Sequence, residues 1–168
     1  MSMNNRFGST ICAGIRRRRQ KKPIGFTLIE IMVSLAIMGI LAAVGIPLYT
    51  GYIDQARNET AISGIGACSL ELARYYSDNG SYPDALAAVG CATSRDPWGN
   101  PYQYLNIKTA KNKGSMRKDR FLVPINSDFD LYSMGKDGKS QMPLTAKDSR
   151  DDIIRANDGA YIGLAYAF

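Results

Sequence analysis

Histidine is absent from the 168 residues. Without an imidazole there is no Ser-His-Asp or Cys-His catalytic arrangement, and the commonest zinc ligand is missing. No other catalytic motif is recognised, so an enzyme on this chain would lack an evident nucleophile–base pair. Carboxylates are missing from the stretch before Glu30, where Arg6, Arg16, Arg17, Arg18, Arg19, Lys21 and Lys22 carry only positive charge. Cysteine occurs three times, as Cys12, Cys68 and Cys91. Tryptophan occurs once, as Trp98.

The net charge of +6 divides unevenly. With the seven basic residues of 1–25 set aside, 14 basic residues remain against 15 acidic ones, a net of −1. A nucleic-acid reading from overall charge therefore fails, because the basic character sits at one end. Lys108–Arg120 holds six cations and one acid, Asp119, around Gly114. It reads as a solvated hairpin tip or a patch against a neighbouring subunit. With no aromatics between its charges it offers no base-stacking surface.

From Phe26 to Leu48 the only charged side chain is Glu30. A run of about 20 apolar residues is long enough to cross a bilayer core of roughly 30 Å. The basic residues before it predict a cytoplasmic amino terminus. An ordinary secretory signal places its apolar stretch before the cleavage site, whereas here the leader itself has no apolar core. A carboxylate this far inside an apolar segment costs about 2.5–3.5 kcal/mol on insertion, so it marks a functional position unless it snorkels to the headgroups. Small residues at Gly39, Gly45 and Gly51, with Ala36, Ala42 and Ala43, permit close helix approach in lipid. Pro47 removes a backbone donor and should kink or loosen the helix.

Gly25-Phe26-Thr27-Leu28-Ile29-Glu30 under a basic leader resembles the type IV prepilin cleavage site. That family includes pilins and the pseudopilins of type II secretion. The resemblance implies cleavage between Gly25 and Phe26 by a membrane prepilin peptidase, with N-methylation of Phe26. It also implies that Glu30 pairs with the terminal amine of a neighbouring subunit, and that the helix partly unwinds near Pro47 on assembly. An uncleaved single-pass anchor is the plainer alternative.

Beyond Pro47, Ile53, Ala56, Thr60, Ala61, Ile65, Cys68, Leu72 and Tyr75 recur at three- and four-residue steps. This pattern predicts an amphipathic helix lying on a sheet. Asp78-Asn79-Gly80 is a stop signal, giving one helix over 26–78, about 75 Å long. Asp84–Val89 reads as a short helical turn in a loop. Cys68 on the apolar stripe and Cys91 at the end of that loop form an even pair beyond the membrane. They would make a disulfide, or stay as two buried thiols. Asp96-Pro-Trp-Gly-Asn-Pro dictates a tight turn, from which Tyr102-Gln-Tyr-Leu enters a strand, with Trp98 packed over the turn. Phe121–Ile125 and Asp130–Met134 read as two further strands.

The turn at 96–104 and Ser133-Met-Gly-Lys-Asp-Gly are similar to segments of the major pseudopilins of type II secretion. From composition, Asp137, Asp148, Asp151, Asp152 and Asp158 are either a solvated acidic loop or hard oxygen ligands for calcium. The resemblance implies the latter, with the Met134 carbonyl, Asp137, and Asp152 or Asp151 as ligands. The ending Asp151–Tyr161 departs from the family pattern, and Lys136, Lys139 and Lys147 add positive charge.

The expected fold is α+β: a long helical spine packed on an antiparallel sheet of about three strands, with a C-terminal loop region. Residues 1–25 form a removable leader, 26–52 the membrane and polymerisation half of the spine, and 53–168 a globular domain. Within that domain, 53–78 is helix, 79–100 a connecting loop, and 101–168 the sheet and acidic loop. The resemblance implies a structural subunit of a periplasmic pseudopilus. The partners it implies are further copies of the chain, other pseudopilins or minor pilins, the peptidase, and an inner-membrane assembly platform with its ATPase. Membrane lipid surrounds the helix before assembly, and no nucleic acid is expected. The implied location is the bacterial inner membrane, with the globular domain periplasmic, and then the fibre. A surface type IV pilus subunit and a membrane-anchored binding module are the alternatives.

Overall fold

The computed structural model describes residues 25–168. The leader expected at 1–25 lies outside the described residues, Gly25 excepted. The chain divides into two units, one ending at Ala43 and one spanning Val44–Phe168.

In the first unit, Gly25–Thr27 precede the start of helix α1 (Leu28–Asn79). Within this unit its side chains are exposed throughout, including Ile29, Met32, Leu35 and Ile40. Among the described residues, α1 is the one helix long and apolar enough to cross a membrane. An apolar helix exposed all round needs a non-aqueous neighbour, either lipid or other helices.

In the second unit, α1 continues through Pro47 without a break. The Thr50 hydroxyl donates to the Pro47 carbonyl at 3.0 Å. The kink or loosening expected at Pro47 is not seen in the single subunit. Ala61, Ile65, Cys68 and Leu72 form the buried stripe, while Ile53, Ala56 and Thr60 stay exposed. The helix ends where Gly80 takes a φ of 72° and donates its amide to the Tyr76 carbonyl.

The sheet has four strands in the order β1 (Gln103–Asn106), β2 (Phe129–Ser133), β3 (Ile153–Ala156) and β4 (Tyr161–Leu164), all antiparallel. This corrects the expectation of about three strands followed by a loop region. Phe121–Ile125 is not a strand: Pro124 has no donor for a ladder and Phe121 is fully exposed. The two strands not anticipated are β3 and β4, in the stretch read as an acidic loop.

Both faces of the sheet are covered. On one, the α1 stripe packs against Tyr102, Phe129, Leu131 and Ile153. On the other, Ile154 and Ala156 meet Ile125, Leu144 and Ala165, supplied by the long connections and the C-terminal turn. Hence β3 is buried at all four positions and shows no polar alternation. Arg155 survives there because its guanidinium lies 4.0 Å over the Phe129 ring and donates to both oxygens of Asp128, at 2.8 and 2.7 Å.

Cys68 and Cys91 are disulfide-bonded, with Cα atoms 5.5 Å apart and a sequence separation of 23. Cys91 lies in the 3-10 turn Gly90–Thr93, so the bond pins this connection onto α1. Closing a loop of this length stabilises by about 3 kcal/mol in the chain-entropy model. Replacing both cysteines with alanine is expected to lower stability by that order in urea titrations of the detergent-solubilised chain. An unchanged midpoint would contradict it.

Candidate processing and assembly site

The Gly25–Phe26 bond lies in exposed, non-helical chain just before α1, with the Phe26 side chain 79% exposed. A peptidase must bind its substrate outside helical hydrogen bonding, and this bond is already outside it. Thr27 is the residue before the helix, and its carbonyl accepts the first helical bond from the Ile31 amide at 3.3 Å. The Glu30 amide donates to the Thr27 hydroxyl at 3.3 Å, and the Thr27 amide donates to Glu30 Oε2 at 3.5 Å. This reciprocal pair is a capping box, satisfying two of the donors a helix start leaves open. The Ser34 hydroxyl donates to the Glu30 carbonyl one turn on. Glu30 thus has an intramolecular task that the sequence reading missed. The signal was present in Thr27-x-x-Glu30. The carboxylate also sits in the first turn, at the positive end of the helix dipole.

The C-terminal loop divides the four groups proposed for calcium. Asp151 Oδ2 accepts from the Asp137 amide at 3.0 Å, and Asp137 Oδ1 accepts from the Lys139 amide at 2.8 Å. Asp152 instead is fully buried, and its Oδ2 accepts from Arg117 Nη2 and from the Ser140 hydroxyl, both at 2.6 Å. Its Oδ1 has no protein partner, but the balancing charge beside it is a guanidinium. Burial pushes the Asp152 carboxyl up to about 6, against Ser140 and Arg117, which lower it. Among the described residues no three acidic or thiol side chains gather to hold a metal. The form of the calcium set that uses Asp152 therefore does not fit this structure, whereas Asp137 and Asp151 of the other form lie together across the loop. Lys136 turns to Asp54 on α1, 2.8 Å away.

Two segments singled out separately in the sequence prove to be one unit. In the Asp96–Gly99 turn, the Gly99 amide donates to the Asp96 carbonyl at 3.0 Å. Asp96 Oδ1 accepts from the amides of Trp98 and Asn100, and Oδ2 accepts from the Ser133 hydroxyl. Asn100 Nδ2 donates to the Gly135 carbonyl at 3.1 Å. Gly135, at φ 63°, has no room for a side chain, because a Cβ there would run into the Asp151 carbonyl. Trp98 packs against the core cluster, as expected of a structural residue. Arg117, read as part of a solvated tip, is 1% exposed. No local signal marked it, since its partners lie far along the chain.

Residues 21–46 match the family model of the prokaryotic N-terminal methylation motif. The chain is 37% identical over 144 residues to the type II secretion system core protein G of Pseudomonas aeruginosa, covering 73% of this chain and 89% of that protein. The core protein G of Aeromonas hydrophila is 33% identical over 75% of this chain and 90% of its own length. A fimbrial protein of Neisseria meningitidis is 30% identical over 80% of this chain and 79% of its own. No solved structure matches.

Proposed function

The chain belongs to the type IV pilin and type II secretion pseudopilin family, and from that premise we propose that it is a pseudopilus subunit. The observation that carries the reading is the start of α1. An exposed, non-helical Gly25–Phe26 bond stands directly before a membrane-length apolar helix whose first turn holds a carboxylate. Before processing, that helix anchors the chain once in the inner membrane, with the sheet domain on the periplasmic side. The disulfide supports that side, since such bonds persist in oxidising compartments.

Cutting at Gly25–Phe26 frees an amine at Phe26, and Glu30 supplies the opposite charge to the amine of the next subunit. In an apolar fibre core an unpaired charge is costly, so pairing fixes how far one subunit is offset from the next. The exposed apolar surface of α1 supplies the packing, and Gly39, Gly45 and Gly51 leave open space for a neighbouring helix. Loosening at Pro47 belongs to this assembly step. The role is structural. Copies of the chain, other pseudopilins, a prepilin peptidase and a membrane platform with its ATPase complete the machine.

The identity to core protein G over most of both chains favours a pseudopilus. The fimbrial match across 80% of the chain supports the second reading, a surface pilus. Mass spectrometry of the protein from host membranes is expected to show an amino terminus at Phe26 carrying one methyl group. Deletion is expected to trap exoproteins in the periplasm. An intact leader would overturn the family mechanism, and surface fibres with normal secretion would favour the pilus.

A further inference from the structure

A cation already occupies the centre of the C-terminal loop, and it is a side chain. Arg117 Nη1 donates to the Ser140 hydroxyl and to the Gln141 carbonyl, and Nη2 donates to Asp152 Oδ2. The guanidinium carbon lies 4.2 Å over the Tyr132 ring, and the Arg117 amide donates to Asp130 Oδ2 at 2.7 Å. A hydroxyl, a carbonyl and a carboxylate converging from one loop are the oxygen types a hard divalent ion would draw together. Here they converge on a planar monocation, whose fork meets several oxygens at once and whose face stacks on an aromatic ring.

We propose that Arg117 is the resident cation of the loop between β2 and β3, closing it onto the sheet in place of calcium. The proposal rests on the family reading only for the expectation of an ion; the contacts themselves belong to this chain. It explains how Asp152 is buried without an ion, and why Lys136 and Lys139 are tolerated beside the loop. It also explains why the segment before β2 runs inward instead of forming an exposed tip. Arg117 acts as a positioning residue, holding the 134–152 loop against β2 from the middle of the β1–β2 connection. The consequence is a subunit whose fold does not track periplasmic calcium.

The test uses the unassembled full-length chain in detergent, followed by thermal unfolding in millimolar calcium and in excess chelator. The expected result is the same midpoint in both, and no heat of binding on calcium titration. An ion bound well above its Kd raises the midpoint by mass action, so a calcium-dependent rise would overturn the proposal. Arg117→Met is expected to lower the midpoint steeply by leaving Asp152 buried and unpaired. Adding Asp152→Asn to that variant is expected to recover part of the loss, because the uncompensated charge is gone. A double variant no more stable than the single one would overturn the pairing. If Arg117→Met does not fold, the wild-type calcium comparison still decides. Because none of these readouts involves fibres, failure here leaves the pseudopilus reading standing, and failure of assembly leaves this one standing.

Discussion

Glu30→Gln is expected to abolish fibre assembly while leaving insertion and cleavage intact. The choice of glutamine follows from the helix start. Glu30 reaches back to the Thr27 amide, and a glutamine side chain makes the same capping-box contact. The substitution therefore keeps the helix start and removes only the charge that would meet the amine of the next subunit. Alanine would remove both and confuse the two effects. The complementary variant, Thr27→Val, removes the hydroxyl that accepts from the Glu30 amide but leaves the carboxylate. It is expected to weaken the first turn by about 1 kcal/mol and still assemble. The measurement is electron microscopy of fibres from cells overproducing each variant, with mature protein quantified by mass. Normal fibres from Glu30→Gln, at normal levels of mature subunit, would remove the charge pair from the mechanism.

The contrast between these residues and the C-terminal half shows what a sequence reveals. The apolar run, the stop at Gly80 and the Asp-Pro-Trp-Gly turn are local signals, set by residues within a few positions of one another. They were legible, and so was the alternation of cysteine from helix stripe to loop. β3 was not. Ile153-Ile-Arg-Ala follows two aspartates and contains an arginine, so its composition suggests solvent. Its burial depends on Asp128 and Phe129, which neutralise and cover Arg155 from β2 and its approach. Phe121–Ile125 failed in the opposite direction. Its apolar composition suggests a strand, but it forms no ladder: Leu122 bridges Asp119, and Ile125 makes single backbone bonds to Arg117 and Asn157. Arg117 was lost among neighbouring cations because the carboxylate that draws it inward, Asp152, is 35 residues away. For the candidate site, the apolar helix with Glu30 in its first turn was legible. The partition of Asp151 and Asp152 onto different partners was not, since adjacent residues of an extended chain face opposite sides.

Asp96→Ala is expected to destabilise the sheet domain by about 3–5 kcal/mol, a large share of the roughly 5–15 kcal/mol typical of a folded domain. Asp96 is 5% exposed and accepts three hydrogen bonds, from the Trp98 amide at 3.1 Å, the Asn100 amide at 2.8 Å and the Ser133 hydroxyl at 2.6 Å. Truncation leaves those donors facing a void, and bonds to a charged acceptor are stronger than neutral ones. The damage also spreads. The Ser133 hydroxyl accepts from the Gly135 amide at 3.1 Å, so losing Asp96 loosens the turn that carries Asp137. Asp96→Asn keeps an acceptor for the two amides and is expected to lose only about 1 kcal/mol. Ser133→Ala alone removes a shared link, and combining it with Asp96→Ala is expected to cost less than the two separately, because both cut one network. Urea titration of the full-length variants in detergent measures all four. Additive losses, or an Asp96→Ala variant within about 1 kcal/mol of the parent, would mean that the 96–104 and 133–138 segments fold as neighbours without depending on each other.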